Sequence, residues 1–219
     1  MSANWQDYFE MNCYGLYLYN DRSVKALPDN LPMPPTISLR AMFSECKRLK
    51  DITALSNWDT SKVYDMCGMF DNCESLQDIT ALSNWDTGKV YDMGCMFNEC
   101  KELEDISALS NWDTSKVTNM SYMFNECSRL KNITVLSNWD TSKVTDMSSM
   151  FRDCYQLEDV TALSNWNTGN VTNMEDMFSS CTLLQNVDGL SRWDTGKVKY
   201  MYGIFNECNK LKPVVDGSN

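Results

Sequence analysis

Seven cysteines, Cys46, Cys73, Cys100, Cys127, Cys154, Cys181 and Cys208, stand 27 residues apart without one slip. Phe43 to Phe205 and Trp58 to Trp193 keep the same interval, and "LSNWDT" or a close variant returns six times between residues 55 and 195. A fixed period of this length marks an array of repeated supersecondary units. The unit 103–129, "LEDISALSNWDTSKVTNMSYMFNECSR", places Leu103, Ile106, Leu109, Trp112, Val117, Met120, Met123, Phe124 and Cys127 at its recurrent apolar positions. One such unit cannot bury so many apolar side chains alone, but stacked neighbours can. The chain therefore reads as a solenoid.

The pattern inside the unit selects the kind of solenoid. A helical hairpin needs two long stretches at 3.6-residue spacing, and "SNWDTSKV" breaks either one with turn formers. "LEDIS" followed by "ALSN" matches the leucine-rich-repeat segment at Leu103, Ile106, Ala108 and Asn111. "KVTNM" alternates like a second short strand, and "SYMFNEC" suits a turn or two of α or 3-10 helix. The expected fold is a leucine-rich-repeat solenoid, with short parallel β-strands stacked in coils and joined by turns and short α or 3-10 helices. Residues 1–40 read as an N-terminal capping segment with a degenerate half-repeat, and 41–219 as about six full repeats plus a partial last coil.

The cycle C-x-x-L-x-x-I, N-W-D-T-S-K-V-T-D-M, x-x-M-F-x-x-C is similar to the BspA-like leucine-rich repeats of bacterial and protist surface proteins. Cys127, Leu130, Ile133, Asn138, Asp140, Thr141, Val144, Met147, Met150 and Phe151 carry the resemblance in one unit, and it extends over roughly residues 41–215. It implies adhesion or partner binding at a cell surface and brings no catalytic residues with it. The chain departs from that pattern at Trp58 and its copies, where the family has Phe. It departs again at Ile52-Thr53-Ala54-Leu55, one residue longer than the usual I-x-L. In strict alternation the extra residue turns Leu55 outward, and a bulge at Thr53-Ala54 would return it to the core.

The ends differ from the array. Trp5, Tyr8, Phe9, Tyr14, Tyr17 and Tyr19 suit a cap over the first coil, with Ser2 heading a short helix that carries Trp5, Tyr8 and Phe9 on one face. In "LPDNLPMPPTISLR", Leu31 stands where Trp58 would and Leu39 where Met66 would. After "KLKPVVDGSN", where Val214 falls in register with Ile52, the pattern stops. Two readings stay open there: end-to-end dimerisation through a weakly capped last coil, or a chain that is a fragment of a longer array.

Composition narrows the functions. Thirty acidic against nineteen basic residues give a net charge of -11, which repels nucleic acid and favours a neutral or basic protein partner. The opening residues carry no basic segment leading into an apolar one, and no apolar run is long enough to span a bilayer, so neither a signal peptide nor membrane insertion is expected of the chain as given. Zero histidines remove the commonest general base and metal ligand. The reading is a non-enzymatic protein with no cofactor and no metal site.

Several columns could carry function. The cysteine column reads as small buried filling, and the D-T-[SG]-K corner as an Asx-turn in which Asp59 and its copies are balanced by Lys62 and its copies. Asn57 and its copies are expected to point inward and satisfy buried backbone groups. Recognition falls to the outward face of the first strand: Asp51, Thr53, Asp78, Thr80, Asp105, Ser107, Asn132, Thr134, Asp159 and Thr161. Two readings stay open, an adhesion or protein-interaction module and an intracellular acidic inhibitor or immunity-type protein that masks a basic partner.

Overall fold

The computed structural model describes residues 23–211 and the backbone of two short strands, β1 (Phe9–Asn12) and β2 (Gly15–Leu18), paired antiparallel. The helix expected from Ser2 lies outside the described residues except at Phe9, which opens β1. The register noted for Val214 also lies outside them.

The chain winds as a repeat solenoid, and one coil explains the rest. In the unit 103–129 the Asp105 carboxylate accepts from the Ser107 N–H, 2.8 Å away, and a 3-10 helix follows at Ser107–Asn111. Trp112 leaves that helix in extended conformation, and a turn closes with the Val117 N–H donating to the Thr114 carbonyl at 2.9 Å. Asn119 then bridges in parallel to Asp92 in the coil before and Asp146 in the coil after. Three overlapping turns complete the circuit, in which Met123 donates to Met120, Asn125 to Tyr122, and Cys127 to Phe124.

Stacked strands are not what joins the coils. Outside β1 and β2, the described residues pair in parallel only through single bridges, in the column Ser38, Asp65, Asp92, Asn119, Asp146, Asn173 and Tyr200 and at two further pairs, Ala26 with Asp51 and Asp159 with Asn186. The turns take over the strand's role. Met120, Tyr122, Phe124 and Glu126 donate their N–H groups to the carbonyls of Asp146, Ser148, Met150 and Arg152 at 2.8–3.0 Å. In a strand the intervening residues would pair with the coil on the other side, whereas here the N–H groups of Met123, Asn125 and Cys127 close turns within their own coil. Left-handed residues make this geometry, in two columns: Ala41, Gly68, Cys95, Tyr122, Ser149, Asp176 and Gly203, then Glu45, Asn72, Glu99, Glu126, Asp153, Ser180 and Glu207. The expected helix at "SYMFNEC" is therefore a run of turns, with φ of 57° at Tyr122 and 55° at Glu126.

The core is a set of apolar columns. Leu103, Ile106, Leu109, Trp112, Val117, Met120, Met123, Phe124 and Cys127 are all buried, as are their copies in the inner coils. Phenylalanines stack from coil to coil, with Phe97 and Phe124 centroids 5.8 Å apart and planes 6° apart. Leu55 is fully buried, though no strand bulge puts it there. The 3-10 helix Thr53–Asn57 does so, because its three-residue period sets Leu55 on the same side as Ile52.

Polar stitches run between the same columns. From Trp58 to Trp193, each indole of the column donates to a leucine carbonyl before it in the stack, as from Trp112 to Leu82 at 3.1 Å. The column thiols do likewise, as from Cys127 to Phe97 at 3.2 Å. Asn57 and its copies are exposed, against the expectation that they point inward. The 3-10 helix turns them to solvent, and the buried polar task falls to the threonine of the same phrase. Thr114 is 2% exposed and its hydroxyl donates to the Asp140 carbonyl at 3.0 Å.

Candidate interaction surface

The ten residues expected to face outward do so: all of them are exposed. They stand at the entry to the 3-10 helices and not on a strand. At each entry the first residue of the pair accepts from the N–H two residues on, from Thr53 to Asp51 at 2.9 Å, Thr80 to Asp78 at 2.8 Å and Thr134 to Asn132 at 2.8 Å. The Thr161 N–H bonds to Asp159 in the same way. For Asp51 the Thr53 backbone N–H, with the hydroxyl of that residue, holds the carboxyl below its ordinary range. At least one side-chain oxygen of each Asp or Asn is thus engaged in the fold.

Between successive coils these pairs line shallow grooves. One groove lies between Asp51 with Thr53 and Asp78 with Thr80, a second between Asp78 with Thr80 and Asp105 with Ser107, and a third between Asn132 with Thr134 and Asp159 with Thr161. Their walls include Ile52, Ile79 and Ile133, and the first and third also contain Lys50 and Lys131. Lys131 pairs with Glu104 at 3.1 Å. The face is therefore mixed in charge rather than uniformly acidic, and the three isoleucines beneath it belong to the core, at most 2% exposed. Sequence reasoning missed the two lysines because each sits at a position that other coils fill with Gln77, Glu104 or Glu158.

Along the opposite corner, Asp113 and Asp140 accept from the Ser115 and Ser142 N–H groups at 2.9 Å, the expected Asx-turns. Hydrogen bonds from those serines lower both carboxyl pKa values. The lysines three residues on form no ion pair with these aspartates among the described residues, so their balance is at longer range. Where Asn170 replaces lysine its amide donates to the Ser142 carbonyl at 2.7 Å, and Lys197 reaches the same side chain at 2.6 Å.

A second polar cluster was not singled out from the sequence. Arg40 bridges Asp65 and Asp92, at 2.8 Å to each, beside the half-buried Cys67 and Cys95. Tyr64 and Tyr91 stack nearby with centroids 5.5 Å apart. Burial pushes the Cys67 thiol up to about 12 and the Cys95 thiol to about 11. Burial also raises the column thiols, well above the ordinary range for Cys73, Cys100 and Cys154. Thiols held in this way are hydrogen-bond donors and packing groups, not nucleophiles near neutral pH. No group of ligating side chains with the geometry of a metal site occurs among the described residues. None of their helices is long and apolar enough to cross a membrane.

A family model described as "Mycoplasma protein of unknown function, DUF285" matches residues 37–135 and 131–217. No curated protein matches the chain. Among solved structures, a leucine-rich repeat protein from Eubacterium ventriosum is 18% identical over 96% of this chain and 52% of its own, with a TM-score of 0.46. The chain thus spans about half the length of that protein. A leucine rich cell surface protein from Faecalibacterium prausnitzii is 15% identical over 97% of this chain and 87% of its own, with a TM-score of 0.26. Neither superposition is close, and the architecture rests on the coil geometry described above.

Proposed function

The chain belongs to the DUF285 family, and from that premise we propose that it is a non-enzymatic protein-interaction module of the BspA-like kind, used in adhesion or partner binding. The observation that carries the reading is the row of intercoil grooves lined by Asp51, Thr53, Asp78, Thr80, Asp105, Ser107, Asn132, Thr134, Asp159 and Thr161. Each groove offers carboxylate or amide oxygens and hydroxyls at a constant spacing set by the coil. A protein strand or loop laid along the row can reach several grooves at once, so weak contacts add. The formal charge of -11 favours a partner with basic residues.

That excess of acid also supports the second reading, an inhibitor that masks a basic target. Changing Asp78, Asp105 and Asp159 together, to Asn in one variant and Lys in another, tests the surface. Asn keeps the bond to the backbone N–H, as Asn132 shows, and removes only the charge. Partner recovery in a pull-down should fall for both variants. Recovery equal to the parent's with the Lys variant would sink this face as the binding site, and loss already in the Asn variant would mark the contact as electrostatic.

A further inference from the structure

Three Asn-x-Ser/Thr triplets occur in the chain, Asn119-Met120-Ser121, Asn132-Ile133-Thr134 and Asn170-Val171-Thr172. This is the pattern at which a sugar is joined to an asparagine amide nitrogen. In a folded chain the reaction needs an Nδ2 that is open to a transferase and free of other partners. It also gains from donors on Oδ1. An amide that gives up an Nδ2 proton carries its charge largely on that oxygen, and hydrogen bonds to the charged form favour it.

The three triplets differ on these counts. Asn119 is half-buried, and its Nδ2 donates to the Asp92 carboxylate at 2.9 Å. Asn170 is exposed, but its Nδ2 donates to the Ser142 carbonyl at 2.7 Å. The Thr172 N–H and hydroxyl both turn to the Thr145 carbonyl, at 2.8 and 3.1 Å, and so leave the Asn170 oxygen. Asn132 and Thr134 are exposed, and the Asn132 Nδ2 makes no hydrogen bond among the described residues. Its Oδ1 accepts from both the Thr134 N–H, at 2.8 Å, and the Thr134 hydroxyl, at 2.6 Å. The fold does not require an amide at this place, since Asp51 and Asp78 close the same turn with a carboxylate. What asparagine adds there is the free Nδ2.

We propose that Asn132 is an acceptor site for an N-linked sugar, supplied by a diphosphate-activated donor. The bond from Nδ2 to the sugar C1 forms as the bond from C1 to the diphosphate oxygen breaks. The diphosphate leaves with the bonding electrons, and one Nδ2 proton passes to a base of the transferase. A lipid diphosphate sugar and a nucleoside diphosphate sugar offer the same leaving group. Asn132 lines the groove that it shares with Thr134, Asp159 and Thr161, so the glycan stands over that groove and leaves those between Asp51 and Asp105 open. Modification at Asn132 does not depend on what the grooves bind.

The test incubates the full, folded chain in two arms. One contains an oligosaccharyltransferase with its lipid diphosphate donor, the other a soluble N-glycosyltransferase with a nucleoside diphosphate hexose. Intact mass and peptide mapping should show one glycan per chain, at Asn132, and the arm that yields it identifies the donor. Asn132→Asp, which keeps the turn as Asp78 does, should abolish the mass shift with unchanged circular dichroism. Thr134→Ala should abolish it too, and Thr134→Ser should retain it. Should a variant disturb the coil, mapping of the parent chain still decides the matter. A chain unmodified in both arms, or occupancy at Asn119 or Asn170 equal to that at Asn132, would overturn the proposal.

Discussion

Tryptophan at a position that a phenylalanine could fill is explained by its nitrogen. The Trp112 indole donates to the Leu82 carbonyl, an oxygen that also accepts from the Trp85 N–H, so the ring both packs and ties two coils. Trp112→Ala should cost about 3–5 kcal/mol as a large-to-small core change. Trp112→Phe, which keeps much of the packing and loses the bond, should cost about 1 kcal/mol. Denaturant unfolding of the two variants separates these contributions, and a Trp112→Phe variant as stable as the parent would show that the indole bond contributes nothing. Tyr122 poses the reverse case, for it is 41% exposed and holds φ at 57°. Glycine adopts that conformation freely, so Tyr122→Gly should stabilise by about 1 kcal/mol and Tyr122→Val should destabilise. A lower midpoint for the glycine variant would mean that the tyrosine ring contributes more than its backbone costs.

At the scale of the coil, the turn columns set acids one above another. Burial, and then the proximity of Glu99, raises the Glu126 carboxyl pKa. A raised folded value means that the favourable contribution is complete below the unfolded pKa, about 4.3, and is lost as pH rises through the folded value. Glu126→Gln should therefore be more stable than the parent at pH 7, and the gap should close near pH 4. A gap independent of pH would show that charge is not its origin. Asp113 and Asp140 have the opposite sign, because hydrogen bonds from Ser115 and Ser142 lower their pKa values. Their contribution is present above the unfolded value of about 3.9 and disappears as pH falls through the folded value. Acid unfolding of the array should begin in that range.

Across the whole molecule, stability is a sum over coil boundaries, each with the same four amide bonds and the same ring stack. The thiol column runs through all of these boundaries, with Cys100, Cys127 and Cys154 fully buried and hydrogen-bonded. Iodoacetamide at neutral pH should leave these thiols unmodified in the native state and alkylate them after denaturation. Peptide mapping by mass spectrometry reads the outcome, and native-state labelling of Cys127 would show that the coils open readily. The described C-terminal coil should exchange its amides fastest, since among the described residues no carbonyl accepts from its Gly203, Phe205 and Glu207 amides.

The 27-residue period and the apolar columns were legible in the sequence because burial between stacked coils requires the same residue type at the same place every turn. Leu103, Val117, Met120 and Phe124 are buried for that reason. The outward placement of Asp78 and Thr80 was legible too, as polar neighbours of the buried Ile79. Which local conformation delivers those positions was decided only in three dimensions. A strand with a bulge and a 3-10 helix both bring Leu55 inward, and residue types alone do not separate them. The left-handed columns left no trace in composition, since twelve of their members are not glycine. They persist because each one aims amides at the next coil, a gain that exists only once the next coil is in place. The phrase Asn-Trp-Asp-Thr divides on the same ground. Its tryptophan and Asx-turn could be read locally, while the exchange of roles between exposed Asn111 and buried Thr114 depended on the helix that turns one out and the neighbouring carbonyl that receives the other.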